Sequence, residues 1–162
     1  MPEIAIRAVT AGDVGVFAGW RHDPPYDIYD ITQPVEEAVE YFLRPVTNCH
    51  VIESGGLLAG FITFGSDARV SGGDYSGPGL DIGLGMEPSL TGRGLGASFV
   101  GAVIEFALAA FEERPLRVTI AAGNERARRV WAGCGFTQTQ RFHTSETILG
   151  SDAFVILERA PD

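Results

Sequence analysis

The chain has 162 residues, 45% of them hydrophobic and 20% charged, which fits one globular domain and argues against disorder. Its net charge of −9 argues against general nucleic-acid binding, which normally needs a basic face. All twelve basic side chains are arginine, so neither a Schiff-base lysine nor the phosphate lysine of a P-loop is present.

Ile4, Ile6 and Ala8 alternate with polar or small residues, so 3–8 is predicted to be the first strand. Thr10 with Asp13 three residues on reads as the cap of a helix running to about Trp20. The segment Trp20–Asp30 follows, and Pro24 and Pro25 argue for a loop or short helix rather than a regular one. Pro34 opens a second helix over Val35–Leu43, which Pro45 ends. Residues 49–53 and 57–65 form a predicted hairpin around Ser54-Gly55-Gly56. Residues 66–79 hold Gly72, Gly73, Gly77, Pro78 and Gly79 and read as an irregular loop.

Leu80–Met86 resumes as a strand and leads through Glu87–Leu90 into Thr91-Gly92-Arg93-Gly94-Leu95-Gly96. From Leu95 to about Phe111 apolar residues recur at helical spacing. Arg117–Ala121 is another short strand, Asn124 caps a helix to about Gly133, and Phe136–Phe142 and Phe154–Glu158 close the chain as strands. Neither a linker nor an internal repeat is visible, so 1–162 is read as one domain of mixed α/β type.

The N-terminus lacks the basic and apolar regions of a secretory signal, and no stretch nears the roughly 18 apolar residues of a membrane span. Cys49 and Cys134 make no metal spacing with the three histidines and read as reduced thiols. These features lead to the expectation of a cytoplasmic protein without a metal, a membrane partner or a nucleic-acid partner.

The glycine turn carries the chemistry. Residues without a β-carbon let the backbone approach an anion, and the helix that follows offers free N–H groups and the positive end of its dipole. A pyrophosphate is the expected guest. Three uses of the turn compete. A purely structural turn needs one glycine rather than three. The run Gly92–Ala97 also fits a GxGxxA dinucleotide fingerprint, but Glu87–Leu90 intervenes and no acid occurs at the next strand end. The third use is an acyl-CoA site. The turn, with Gly94 and Gly96 in place, resembles the Q/R-x-x-G-x-G/A motif of GNAT acetyltransferases, with Thr91 departing at its first position. Some thirty residues on, Asn124, Ala127, Gly135 and Phe136 match the family's N-x-x-A-x-x-x-Y-x-x-x-G-F pattern in register.

The resemblance implies the GNAT fold, a mixed, mostly antiparallel twisted sheet of six to seven strands flanked by about four helices, with a splayed cofactor cleft. It implies acetyl-CoA as co-substrate, held at the pyrophosphate by the N–H groups of Gly92, Arg93, Gly94, Leu95, Gly96 and Ala97. The pantetheine arm would pair with Leu84, Gly85 and Met86, at an edge opened by a bulge that Gly83 and Gly85 permit, and would meet Asn124. The Leu84 N–H would donate to the thioester carbonyl. Trp131 stands where many members have a tyrosine acid, and Thr119 where some have a glutamate base. Indole donates a hydrogen bond but is no acid at neutral pH, so Trp131 is assigned to contact with the arm or to the core.

Among the residues themselves, Asp81 is the candidate general base, if its side chain faces the cleft and not solvent. Tyr26, Asp27 and Tyr29 are the candidate contacts to a cationic acceptor, through charge and the faces of their rings. Asp74 and Tyr75 are candidates to close over it, while His22 and His50 pair with no nucleophile. The expected activity is N-acetylation of a primary amine on a small molecule or peptide. The alternatives are a silent acetyl-CoA sensor and a dinucleotide-binding protein. The fold also allows a homodimer formed through an exposed strand edge.

Overall fold

The computed structural model describes residues 3–24, 26–148 and 151–161; Met1, Pro2 and the expected cleft residue Pro25 lie outside them. Seven strands form one sheet: β1 (Ile4–Ala8), β2 (Cys49–Ser54), β3 (Leu57–Phe64), β4 (Leu80–Met86), β5 (Leu116–Ala121), β6 (Thr137–Ile148) and β7 (Ser151–Arg159). The spatial order is β1-β2-β3-β4-β5-β7-β6, and only the β4–β5 pair is parallel. Four helices flank it: α1 (Ala11–Phe17), α2 (Val35–Phe42), α3 (Gly96–Ala110) and α4 (Glu125–Gly133).

Strand alternation divides the core into two layers. Ile52, Ile62, Ile82, Val118, Val155 and Leu157 meet Phe99, Val100 and Val103 of α3 and Trp131 of α4 on one face. Val51 and Phe61 meet Val14, Phe17, Ala38 and Phe42 of α1 and α2 on the other, where Phe61 stacks on Phe17 at 4.2 Å between centroids.

Local sequence explains the helix ends. Thr10 and Asp13 cap α1 reciprocally, and Arg7 of β1 fixes the Asp13 carboxylate at 2.7 Å. That guanidinium holds the Asp13 carboxyl down at about 2. The helix stops at Phe17, three residues short of the predicted end. Both closing strands run beyond their predicted spans, since β6 pairs with β7 as far as His143 and, past an irregularity, again at Ile148.

Candidate acyl-transfer site

The site follows from how β4 and β5 part. They pair at Leu80–Leu116, Asp81–Arg117 and Ile82–Val118 and then separate, although β4 continues to Met86 and β5 to Ala121. Amide direction alternates along a strand. Leu80 N–H donates to Pro115 on the β5 side and Glu87 N–H donates to Ala59 on the β3 side. The amides of Leu84 and Met86 therefore face the gap. By the same rule Ala122 N–H reaches Ala153 of β7, so Ala121 N–H faces the gap from the opposite lip.

The β3–β4 register runs unbroken from Gly60–Met86 to Phe64–Ile82. The opening thus involves no bulge in β4, contrary to the sequence expectation. Gly83 and Gly85 have packing reasons instead. A Cβ on Gly83 would lie 2.6 Å from Thr63 Oγ1, and one on Gly85 would lie inside the Phe61 ring contact at 2.2 Å.

At the end of the gap lies the glycine turn. Gly92 and Gly94 have φ of +69° and +75°, where a side chain is strained. Gly96 serves a different purpose, since a Cβ there would meet Val130 at 3.0 Å, so it lets α3 and α4 approach. None of the N–H groups of residues 92–97 donates a hydrogen bond among the described residues, and Leu95 gives α3 no side-chain cap. Six consecutive free donors with exposed Gly92–Gly94 make an anion cradle. Arg126 lies beside it, its guanidinium 3.9 Å from the Tyr26 ring centre and 3.1 Å from where a Gly92 Cβ would sit. Arg21, His22, Tyr26, Ser89, Thr91 and Arg126 line a polar cavity of about 330 Å³ there.

Two side chains of the Trp20–Asp30 segment bridge the lips of the gap. His22 Nε2 donates to the Met86 carbonyl at 2.9 Å, and Nδ1 lies 2.9 Å from Asp30 Oδ1. The Tyr29 hydroxyl accepts from Ala121 N–H at 3.3 Å and from Asn124 Nδ2 at 3.2 Å. Asn124 uses its other end, Oδ1, to accept from Ala127 N–H and cap α4. Burial pushes the Tyr29 phenol up, so it stays protonated at neutral pH. Tyr26 stands at the glycine turn, and Asp27 is exposed.

Asp81 and Tyr75 stand apart from their expected roles, and Trp131 takes one of the two expected of it. Asp81 is 2% exposed, and Arg117 donates to both its oxygens at 2.6 and 2.8 Å while Arg69 donates to Oδ2 at 2.8 Å. Both its oxygens are held by guanidinium donors and the carboxylate is closed off from water, which removes it as the candidate base. Trp131 is 5% exposed and packs edge-on against Phe136, so it belongs to the core rather than to the arm. Tyr75 lies against Arg69 and Arg117 and shares a 2.8 Å hydrogen bond with Thr119, joining the 66–79 loop to β5. Burial pushes the Cys49 thiol up to about 12 and favours the neutral His50 ring, so neither is an activated nucleophile. The described residues contain no cluster that fits a metal ion and no helix long and apolar enough to cross a membrane.

Residues 3–137 match the protein family described as the acetyltransferase (GNAT) domain. No curated protein matches the chain. Among solved structures it is similar to a chimera of spermidine N-acetyltransferase SpeG from Vibrio cholerae and hSSAT, with 14% identity, 97% and 95% of the two chains covered and a TM-score of 0.78. It is similar to AAC(6')-Ib in complex with ribostamycin and coenzyme A, with 16% identity, 98% and 93% covered and a TM-score of 0.76. It also resembles yncA from Salmonella typhimurium, solved with its cofactor acetyl-CoA, with 17% identity, 98% and 94% covered and a TM-score of 0.67. At these identities the likeness is one of fold.

The clamp around Asp81 has a measurable consequence. Asp81→Asn leaves Arg117 buried without its countercharge and is expected to lower unfolding free energy by about 3 kcal/mol in denaturant titration. A loss of turnover without loss of stability would return Asp81 to the reaction.

Proposed function

The chain belongs to the GNAT acetyltransferase family, and from that premise we propose that it transfers the acetyl group of acetyl-CoA directly to a primary amine. The observation that carries this reading is the row of free N–H groups at 92–97 continuous with the open edge of β4. The cradle suits the pyrophosphate, with Arg126 at hand as a further cation. The open edge suits the amide-bearing arm, which can pair with it like an added strand. Leu84 C=O and Met86 N–H are its expected partners, since His22 already holds the Met86 carbonyl, and Leu84 N–H is left for the thioester.

Acetyl-CoA brings an electrophilic thioester carbon and a thiolate leaving group. Leu84 N–H donates to the carbonyl oxygen as charge develops there. The amine nitrogen forms its bond to the carbonyl carbon, and the carbon–sulfur bond breaks without an acyl-enzyme, consistent with the burial of the Cys49 thiol. Tyr29 donates its proton to the departing sulfur, and a proton of the attacking amine leaves to solvent, from which the phenol is refilled. Two features support that role. The hydroxyl accepts two hydrogen bonds, which leaves its own proton free to be given, and it stands in the gap where Trp131 offers no acid.

A small-molecule acceptor is supported by the spermidine and ribostamycin in the descriptions of two neighbours. A catalytically silent acetyl-CoA sensor is the second reading, favoured by the engagement of Asp81 and the burial of Trp131. Release of free thiol from acetyl-CoA in the presence of primary amines decides against the sensor, and its absence decides for it.

Substitutions at two positions test this account. Asparagine and aspartate both tolerate positive φ, so Gly94→Asn and Gly94→Asp share the backbone cost and differ in charge. Gly94→Asp is expected to bind CoA on the order of 10² more weakly than Gly94→Asn by calorimetry, and equal affinities would remove the anion from this turn. Tyr29→Phe is expected to lower kcat on the order of 10²-fold and to abolish the fall in rate above the pH at which the raised phenol ionises. An unchanged alkaline limb would remove Tyr29 as the acid.

A further inference from the structure

One half-buried aspartate has no countercharge. Among the described residues, Asp13, Asp30, Asp67 and Asp81 are the aspartates that are buried or half-buried. Asp13 faces Arg7, Asp30 faces His22 and Asp81 faces Arg69 and Arg117, but no basic side chain forms an ion pair with Asp67. Arg69, only two residues along the chain, is turned away to Asp81. Arg44 lies over the Tyr41 ring at 5.6 Å and pairs with Glu40.

Asp67 sits in the short turn Ser66–Ala68 between β3 and β4 and accepts a hydrogen bond at Oδ1 from the Tyr41 hydroxyl of α2. Desolvation pushes its carboxyl above the usual carboxylate range, as expected of a buried anion without a cation.

Its position relates it to the reacting centre. The next residue, Ala68, has its Cβ 3.5 Å from where a Gly83 Cβ would be, and Gly83 directly precedes Leu84. Odd-numbered positions of β4 face the α1 and α2 side of the sheet, as Gly85 does toward Phe61. On that face Thr63 Oγ1 is buried without a hydrogen-bond partner, 2.6 Å from the same Gly83 point. A buried hydroxyl without a partner thus adjoins the strand position beside the proposed thioester site, and a carboxylate without a countercharge lies one residue from Ala68, its other neighbour.

We propose that Asp67 is the docking carboxylate for the ammonium group of the acceptor, which makes the site selective for cationic amines entering from the α1–α2 face. Tyr41 fixes one carboxylate oxygen and leaves the other to the ligand. The arriving cation supplies the countercharge that the fold withholds, and its desolvation is offset by a charge-assisted hydrogen bond. Asp67 acts here as a specificity residue, with no proton transfer assigned to it. The inference rests on the amine-acetylation reading, so the test keeps the two separable.

The protein is saturated with CoA, and spermidine, 1,4-diaminobutane and ethylenediamine are titrated into wild type, Asp67→Asn and Asp67→Glu by calorimetry. Asparagine keeps the size and the acceptor for Tyr41 but removes the charge, while glutamate keeps the charge. The expected result is at least one amine bound tenfold to a hundredfold more weakly by Asp67→Asn, with partial recovery in Asp67→Glu and CoA affinity equal in all three. Amine affinities unaltered by Asp67→Asn, or no amine bound by the CoA-saturated wild type, overturn the Asp67 assignment alone. Failure of the wild type to bind CoA at all overturns the functional reading and this inference with it.

Discussion

Everything at the proposed site depends on one parallel strand pair that is locked at one end and open at the other. β4 and β5 are joined over three residues by their ladder and by the buried Asp81–Arg117 clamp, and beyond Ile82 they diverge. Each strand keeps its outer partner, β3 for β4 and β7 for β5, so the gap is held open by two rigid half-sheets. A charge pair sealed from water at the closed end suits this task, since its geometry is fixed and its loss is costly. It explains why Asp81 is structural even though it lies on the strand that leads into the site.

The open end is furnished rather than empty. His22 holds Met86 on one lip, and Tyr29 holds Ala121 and Asn124 on the other, so the Trp20–Asp30 segment is tied to both half-sheets. Unpaired strand amides are thereby partly satisfied, while Leu84 stays available. The same hydrogen bonds bring a phenol into a gap whose α4 wall offers only a buried indole.

Much of this was legible in the sequence, and the boundary is physical. Gly92, Gly94 and the Asn124 cap are dictated by local backbone geometry, so their spacing alone located the turn and α4. The seven strands and four helices follow from periodicity, with errors at ends such as Phe17, where packing overrides propensity. The partner of Asp81 was not legible, because Arg117 lies 36 residues away and meets it only through the β4–β5 register. The same holds for Tyr29 with Asn124, 95 residues apart, and for Asp67, which belongs to a glycine-rich loop without periodicity. Asp67 carried no sequence signal of its own, since its meaning comes from the countercharge it lacks. Gly83 and Gly85 permit a bulge as far as the sequence goes, because glycine signals proximity without saying to what; the neighbours are Thr63 and Phe61.

The central claim, that the gap between β4 and β5 with its glycine turn receives acetyl-CoA, is tested most directly by following the backbone amides by NMR while acetyl-CoA is added. The account requires the largest shifts at Leu84, Met86 and residues 92–97, with little change at Leu80–Ile82. Shifts absent from these amides at saturating acetyl-CoA, or confined to another face of the sheet, would contradict it.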